Sequence, residues 1–208
     1  MRHVHLQSDF LVSYYYHAAK DAANTAKSQK LPDSLQNIII AVVMSQCALE
    51  GYINYLIHLH KLSAHKVTLN PKGSAKEVHK PFEKLSIRDK WAHLPMVLNK
   101  KSWMLNADPF KRFSELVEQR NDLVHFDALK FEYAYESPTD ITSTDDLMEI
   151  ITDGSWLAGS KLVKLAVSGM NGHLIVHDMI IGLHRLIGTD PPAFLNSEKI
   201  LFSIKFKP

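Results

Sequence analysis

NIIIAVVMSQCALEGYINYLIHLHKL, residues 37–62, is the most apolar run of this 208-residue chain, and its reading decides the fold. Apolar side chains fall on nearly every face of a helix drawn through it, which marks a segment surrounded by other helices. Two buried strands are the competing reading. The length of the run and its Ala, Met, Leu and Gln content favour one central helix, from about Ser34 to Leu62.

On its N-terminal side, residues from about Ser8 to Lys30 start apolar and aromatic, continue rich in Ala, Lys and Gln, and stop at Leu31-Pro32, which predicts a long first helix. On its C-terminal side, His65 to Pro81 contains the turn signal Asn70-Pro71-Lys72-Gly73 and reads as a loop carrying Lys66, Lys72, Lys76 and Lys80. A third helix starts near Pro81 or Ser86 and runs through RDKWAHLPMVL, disturbed by Pro95. A fourth starts at Asp108-Pro109, with aspartate as cap and proline in the first turn. FEYAYE at 131–136 alternates like a strand, and the following residues to about 160 are acidic and turn-rich. A last helix covers about Ser160 to Ile187, ends at Gly188 and Pro191-Pro192, and carries Gly169 and Gly172 inside it, where a close approach or a bend is permitted. LFSIKFK at 201–207 alternates again and can pair with FEYAYE as a small β ribbon near 131–136 and 200–206.

The expectation is therefore an all-α antiparallel bundle of about five helices in a single domain over 1–208. Its core spans about 8–126, an irregular acidic excursion 131–160, and a C-terminal helix about 160–188. A chain of this length with 46% hydrophobic residues can bury a substantial single core. Its formal net charge of +2 gives no overall basic footprint for gripping duplex nucleic acid, so any RNA site must be local. Cys47 is the only cysteine, which excludes an intramolecular disulfide and fits a reducing compartment. MRHVHLQSDF lacks the apolar run of a signal peptide, and no 18-residue apolar stretch stands out, so the expected location is the cytoplasm, with no membrane. Nucleotide loops and a nucleophile elbow are missing, and no cofactor is expected.

Residues 120–125 read Arg-Asn-Asp-Leu-Val-His. The string puts a permanent cation, an amide and an imidazole on about one and a half helical turns, the groups that a metal-free attack on an RNA phosphodiester needs. At about 100° per residue, Phe113, Leu116, Val117 and Val124 make one apolar stripe with Arg120 near its centre. Asn121 and His125, four apart, stack one turn above the other. Arg88 and His93 repeat the Arg-to-His spacing, but without an asparagine after the arginine. The plainer reading makes Arg120 a buried ion-pair residue and His125 a cation favouring the helix dipole. Arg120 needs a partner, and the central helix offers a polar ridge of Gln46, Glu50 and Asn54 at i, i+4 and i+8. Glu50, flanked by Val43, Ile53 and Ile57, is expected to be buried and paired with Arg120. His173 and His177, four apart beside Asp178, have a spacing that could hold zinc, but a third ligand is not evident and two exposed helical histidines are the plainer reading. No metal site is expected.

RNDLVH resembles the R-x(4-6)-H signature of the HEPN superfamily, in its form with a polar residue after the arginine. ALEGYIN at 48–54 resembles the ALE-x-x-IN pattern of the second helix in those proteins, and DKWAHLP at 89–95 a third-helix segment of some of them. The resemblance covers roughly 40–126. It implies a helical bundle acting as a metal-independent endoribonuclease: His125 as general base or acid, Arg120 stabilising the phosphorane, Asn121 orienting His125 or the phosphate, Glu50 supporting, and Asp122 as a lesser neighbour. It also implies a homodimer with both motifs on one cleft, and a toxin, phage-defence or stress role in which an antitoxin protein is a potential partner. The alternatives are a non-catalytic HEPN-like module binding RNA or protein, and a plain helical scaffold.

Overall fold

The computed structural model describes residues 8–29, 33–69, 78–124 and 161–196. Among them are five α-helices: α1 (Ser8–Lys27), α2 (Leu35–Leu59), α3 (Ile87–Asn99), α4 (Phe110–Val124) and α5 (Lys161–Ile187). The structure is mostly helical, as the periodicity predicts. The 131–136 and 200–206 ribbon and the acidic excursion lie outside the described residues.

α2 is the hub, packed against all four other helices. Its contacts with α1 are made by small residues: Ala22 and Ala23 meet Ala41, while Gly51 faces Val12, so the two helices run antiparallel. α5 approaches α2 just as closely. A Cβ on Gly169 would lie 2.8 Å from the Ile38 backbone oxygen, and Gly172 sits on Ser45. Because Tyr52 meets His184 farther along, α2 and α5 run parallel, so the bundle is not purely antiparallel. By length and composition α2 reaches the measure of a membrane-crossing helix, contrary to the sequence reading, since its few polar residues leave a mean hydropathy of 1.3 over 18 residues. Half of that window is buried inside the protein, where Ile38, Val42, Leu49 and Ile53 form the core.

The expected loop at His65–Pro81 is instead a hairpin. β1 (Lys66–Leu69) pairs antiparallel with β2 (Val78–Pro81), with Thr68 opposite His79 and their side chains 3.0 Å apart. The turn signal was legible, but lysines hid the β-branched Val67, Thr68 and Val78 around it. Val67 and Phe82 anchor the hairpin in the core.

α3 begins at Ser86, whose hydroxyl accepts from the Asp89 backbone N–H at 3.2 Å and donates to the Asp89 carboxylate at 2.7 Å. Pro95 lies inside this helix and has no N–H for the carbonyl of Trp91. Trp103 Nε1 donates to that carbonyl at 2.8 Å instead, so the loop after α3 repairs the helix that proline disturbs. Trp91, fully buried, stacks near Tyr52 and Phe113 and joins α2, α3 and α4 in one aromatic cluster. At the end of α5, Gly188 has φ +76°, and its N–H and that of Thr189 both donate to the His184 carbonyl. Glycine takes this left-handed turn without the Cβ penalty that other residues incur.

Candidate active site at the end of α4

α4 carries Arg120 and Asn121 to the edge of the bundle. Phe110, Phe113, Leu116 and Val117 are buried and fix the helix's rotation. Arg112 fixes its position on α5, meeting Asp108 at 3.1 Å within the first turn and Asp178 at 2.8 Å across the interface. Arg120 follows Phe113 by two turns and therefore points toward the core side, but near the end of the helix it is only half-buried. Its Nη1 donates to Asn121 Oδ1 at 3.3 Å. The amide thus holds the guanidinium. Asn121 and Asp122 are exposed, and His125 lies outside the described residues.

The buried ion pair expected between Glu50 and Arg120 is not formed. Glu50 is exposed, and no ion pair within 4.0 Å joins it to Arg120. Its two neighbours on the ridge explain the error: Gln46 is buried and Asn54 exposed, so α2 surfaces along this stripe just where the acid stands. Hydration replaces a partner, and no desolvation cost arises. The two groups nevertheless share a neighbourhood, because both act on the Cys47 thiol. Burial pushes that thiol up, Glu50 adds to the rise and Arg120 opposes it. α4 packs on α2, and Arg120 lies near enough to Cys47 to act on its thiol.

Sequence reasoning missed the group that does meet the ridge. Lys90 of α3 donates through Nζ to Asn54 Oδ1 at 2.8 Å. The signal was present in DKWAH, since a lysine beside Trp91 on a core-facing helix must bury its stem. The second Arg-to-His spacing has a structural role: Arg88 donates to the Ser114 carbonyl at 2.6 Å and to Glu118 at 2.7 Å, tying α3 to α4. A shallow 350 Å³ cleft lies beside that tie, lined by Arg88, Asn106, Lys111 and Glu115 among others. Lys111, Ser114, Glu115 and Glu118 form one stripe of α4; Arg120 stands roughly 200° round the helix from Glu118 and faces away from the cleft, whereas Asn121 and Asp122, three and four residues after Glu118, lie on its side.

No family model, curated protein or solved structure matches the chain. Functional assignment therefore rests on the side chains.

The paired histidines of α5 depart from the plain reading of two exposed rings. His173 is buried with Nδ1 unpartnered, and its pKa is lowered to about 4 by burial first and then by Lys27, Lys20 and His177. His177 Nδ1 contacts Asp178 Oδ1 at 3.2 Å. Among the described residues no group of three or more His, Cys, Asp or Glu is placed to hold a metal. At the far end of α5, burial raises the Tyr52 phenol above its ordinary range and lowers His184. With both groups neutral, the Tyr52 hydroxyl shares a hydrogen bond with Nε2, and Nδ1 shares one with Thr189 Oγ1 at 2.6 Å. That chain closes the α5 terminus and belongs to the fold.

Proposed function

We propose that this protein is a metal-independent endoribonuclease of HEPN type, working in the cytoplasm as a homodimer and serving as a toxin, phage-defence or stress effector. The observation that carries the reading is Arg120, a permanent cation held half-buried at the tip of α4 with its guanidinium tethered by Asn121, inside the string RNDLVH. A guanidinium so placed can meet a phosphate from solvent while keeping its direction. In the reaction, His125 takes the proton of the ribose 2′-OH, the 2′-oxygen attacks phosphorus, and the P–O5′ bond breaks. The protonated His125 then gives that proton to the leaving 5′-oxygen, leaving a 2′,3′-cyclic phosphate and a 5′-hydroxyl. Arg120 stabilises the charge on the phosphorane. Glu50 and Asp122, both exposed, border the site.

Arg120→Ala and His125→Ala should each lower RNA cleavage at least about 100-fold, the scale of a lost general base or of one electrostatic contact, with the protein still folded. His93→Ala, in the spacing without asparagine, should leave cleavage within about twofold. Gel analysis of labelled RNA with circular dichroism as the folding control decides it; equal loss from all three variants, or an inert wild type, rejects the reading.

The Arg120–Asn121 bond also favours a second reading, a non-catalytic HEPN-like module that binds RNA or a partner protein such as an antitoxin. There the amide serves to hold the arginine and not the histidine. Such a module would retain RNA or the partner without cutting RNA.

A further inference from the structure

Lys90 is 9% exposed, and its one polar contact among the described residues is the neutral amide of Asn54. No carboxylate among those residues lies within 4.0 Å of its ammonium. The adjacent Asp89 is engaged by Ser86, and Glu118 on α4 is engaged by Arg88. An ammonium whose one protein contact is a neutral amide has two N–H donors left over, and an anion satisfies them together with the charge. Asn54, which receives the ammonium, is exposed. The charge thus lies just under the surface, open to an anion arriving from solvent.

Its place on α2 matters as much as its burial. Cys47, Glu50 and Asn54 fall at i, i+3 and i+7, one stripe of the helix. Lys90 bonds Asn54 at one end of this stripe, and Arg120 lies near enough to Cys47 at the other to oppose the rise of its thiol. These ends are about 10 Å apart at 1.5 Å rise per residue. At roughly 3.4 Å per nucleotide of a stacked strand, this stretch of α2 runs alongside about three nucleotides. Glu50 stands exposed between its ends and repels any phosphate placed midway, so a bound strand must set its phosphates at the two ends.

We infer that Lys90, held by Asn54, is a second phosphate-binding group for single-stranded RNA, engaging the backbone a few nucleotides from the phosphate at Arg120. The RNA identity of this ligand rests on the ribonuclease reading; the Lys90 ammonium without a carboxylate among the described residues does not. A protein with so small a net charge has few such contacts to give, and each one should be visible in the salt dependence of binding.

The experiment titrates the intact protein into a fluorescent oligoribonucleotide whose 2′-hydroxyls are methylated, so that it binds but cannot be cut, over a range of salt concentrations. Lys90→Gln and Lys90→Met are compared with wild type. The methionine keeps the apolar stem and removes the charge, so it stays folded where the glutamine fails. Loss of the phosphate contact should raise Kd about tenfold and flatten the slope of log Kd on log salt by about 0.7, the value for one phosphate of a single strand. Folded variants that bind with the wild-type affinity and slope overturn the inference, as does a wild type that does not bind. Cleavage of unmodified RNA is scored in parallel. Cleavage by wild type with binding indifferent to Lys90 rejects this subsite alone, whereas Lys90-dependent binding without cleavage rejects the ribonuclease reading alone.

Discussion

His173 shows how one buried residue ties stability to pH. Its ring is packed between helices with Nδ1 unpartnered, and its pKa stands at about 4, against 6.5 for a free imidazole. Between those values the unfolded chain binds a proton that the folded chain refuses. The stability from keeping the ring neutral is therefore complete above pH 6.5 and is lost as pH falls toward 4. His17 and His184 are lowered as well, mainly by burial, and act with the same sign. At about 1.4 kcal/mol per pH unit, His173 accounts for a few kcal/mol over that window. Urea unfolding of His173→Leu should show a shallower decline in midpoint from pH 6.5 to 4 than wild type, and an unchanged decline would refute it. Of the site residues, the sequence made Arg120 legible because one stripe of α4 fixed its side. Glu50 is exposed although Val43, Ile53 and Ile57 flank it, because the ridge it shares with Gln46 and Asn54 runs from the buried side of α2 to its surface. Lys90 was missed because its partner lies 36 residues away on another helix.

At the scale of elements, the five helices followed from periodicity and caps, since the signals of Ser86, Pro109 and Gly188 are local. The hairpin did not, because two short strands gain their stability from docking Val67 and Phe82 and not from their own pattern. The direction of α5 relative to α2 was equally hidden, although its glycines announced a close approach. Gly169 makes that approach measurable. Glycine to alanine within a helix ordinarily stabilises by up to about 1 kcal/mol. Here the new Cβ would lie 2.8 Å from the backbone oxygen of Ile38, and a backbone cannot rotate away as a side-chain tip can. Gly169→Ala should therefore destabilise the protein by about 1–3 kcal/mol, the usual cost of overpacking. A chemical-denaturation midpoint equal to or above wild type would show that α2 and α5 are not locked at this point.

For the whole molecule, a formal charge of +2 means that no long-range field gathers RNA, and recognition must come from cations at one place. On the proposed reading, Arg120 at the tip of α4 and Lys90 of α3, bonded to Asn54 on α2, would be such a place. The proposed chemistry then needs only a proton shuttle at His125 and a fixed charge at Arg120, both supplied by the polypeptide. Cleavage should accordingly persist in excess EDTA, and every product should end in a 2′,3′-cyclic phosphate facing a 5′-hydroxyl. End analysis of the fragments checks this directly, because nucleases that activate water on a metal leave linear phosphates. Loss of cleavage on chelation, with recovery on adding zinc or magnesium, would move the chemistry away from α4. The first residues to replace would then be His177 and Asp178, whose Nδ1 and Oδ1 already lie 3.2 Å apart on α5.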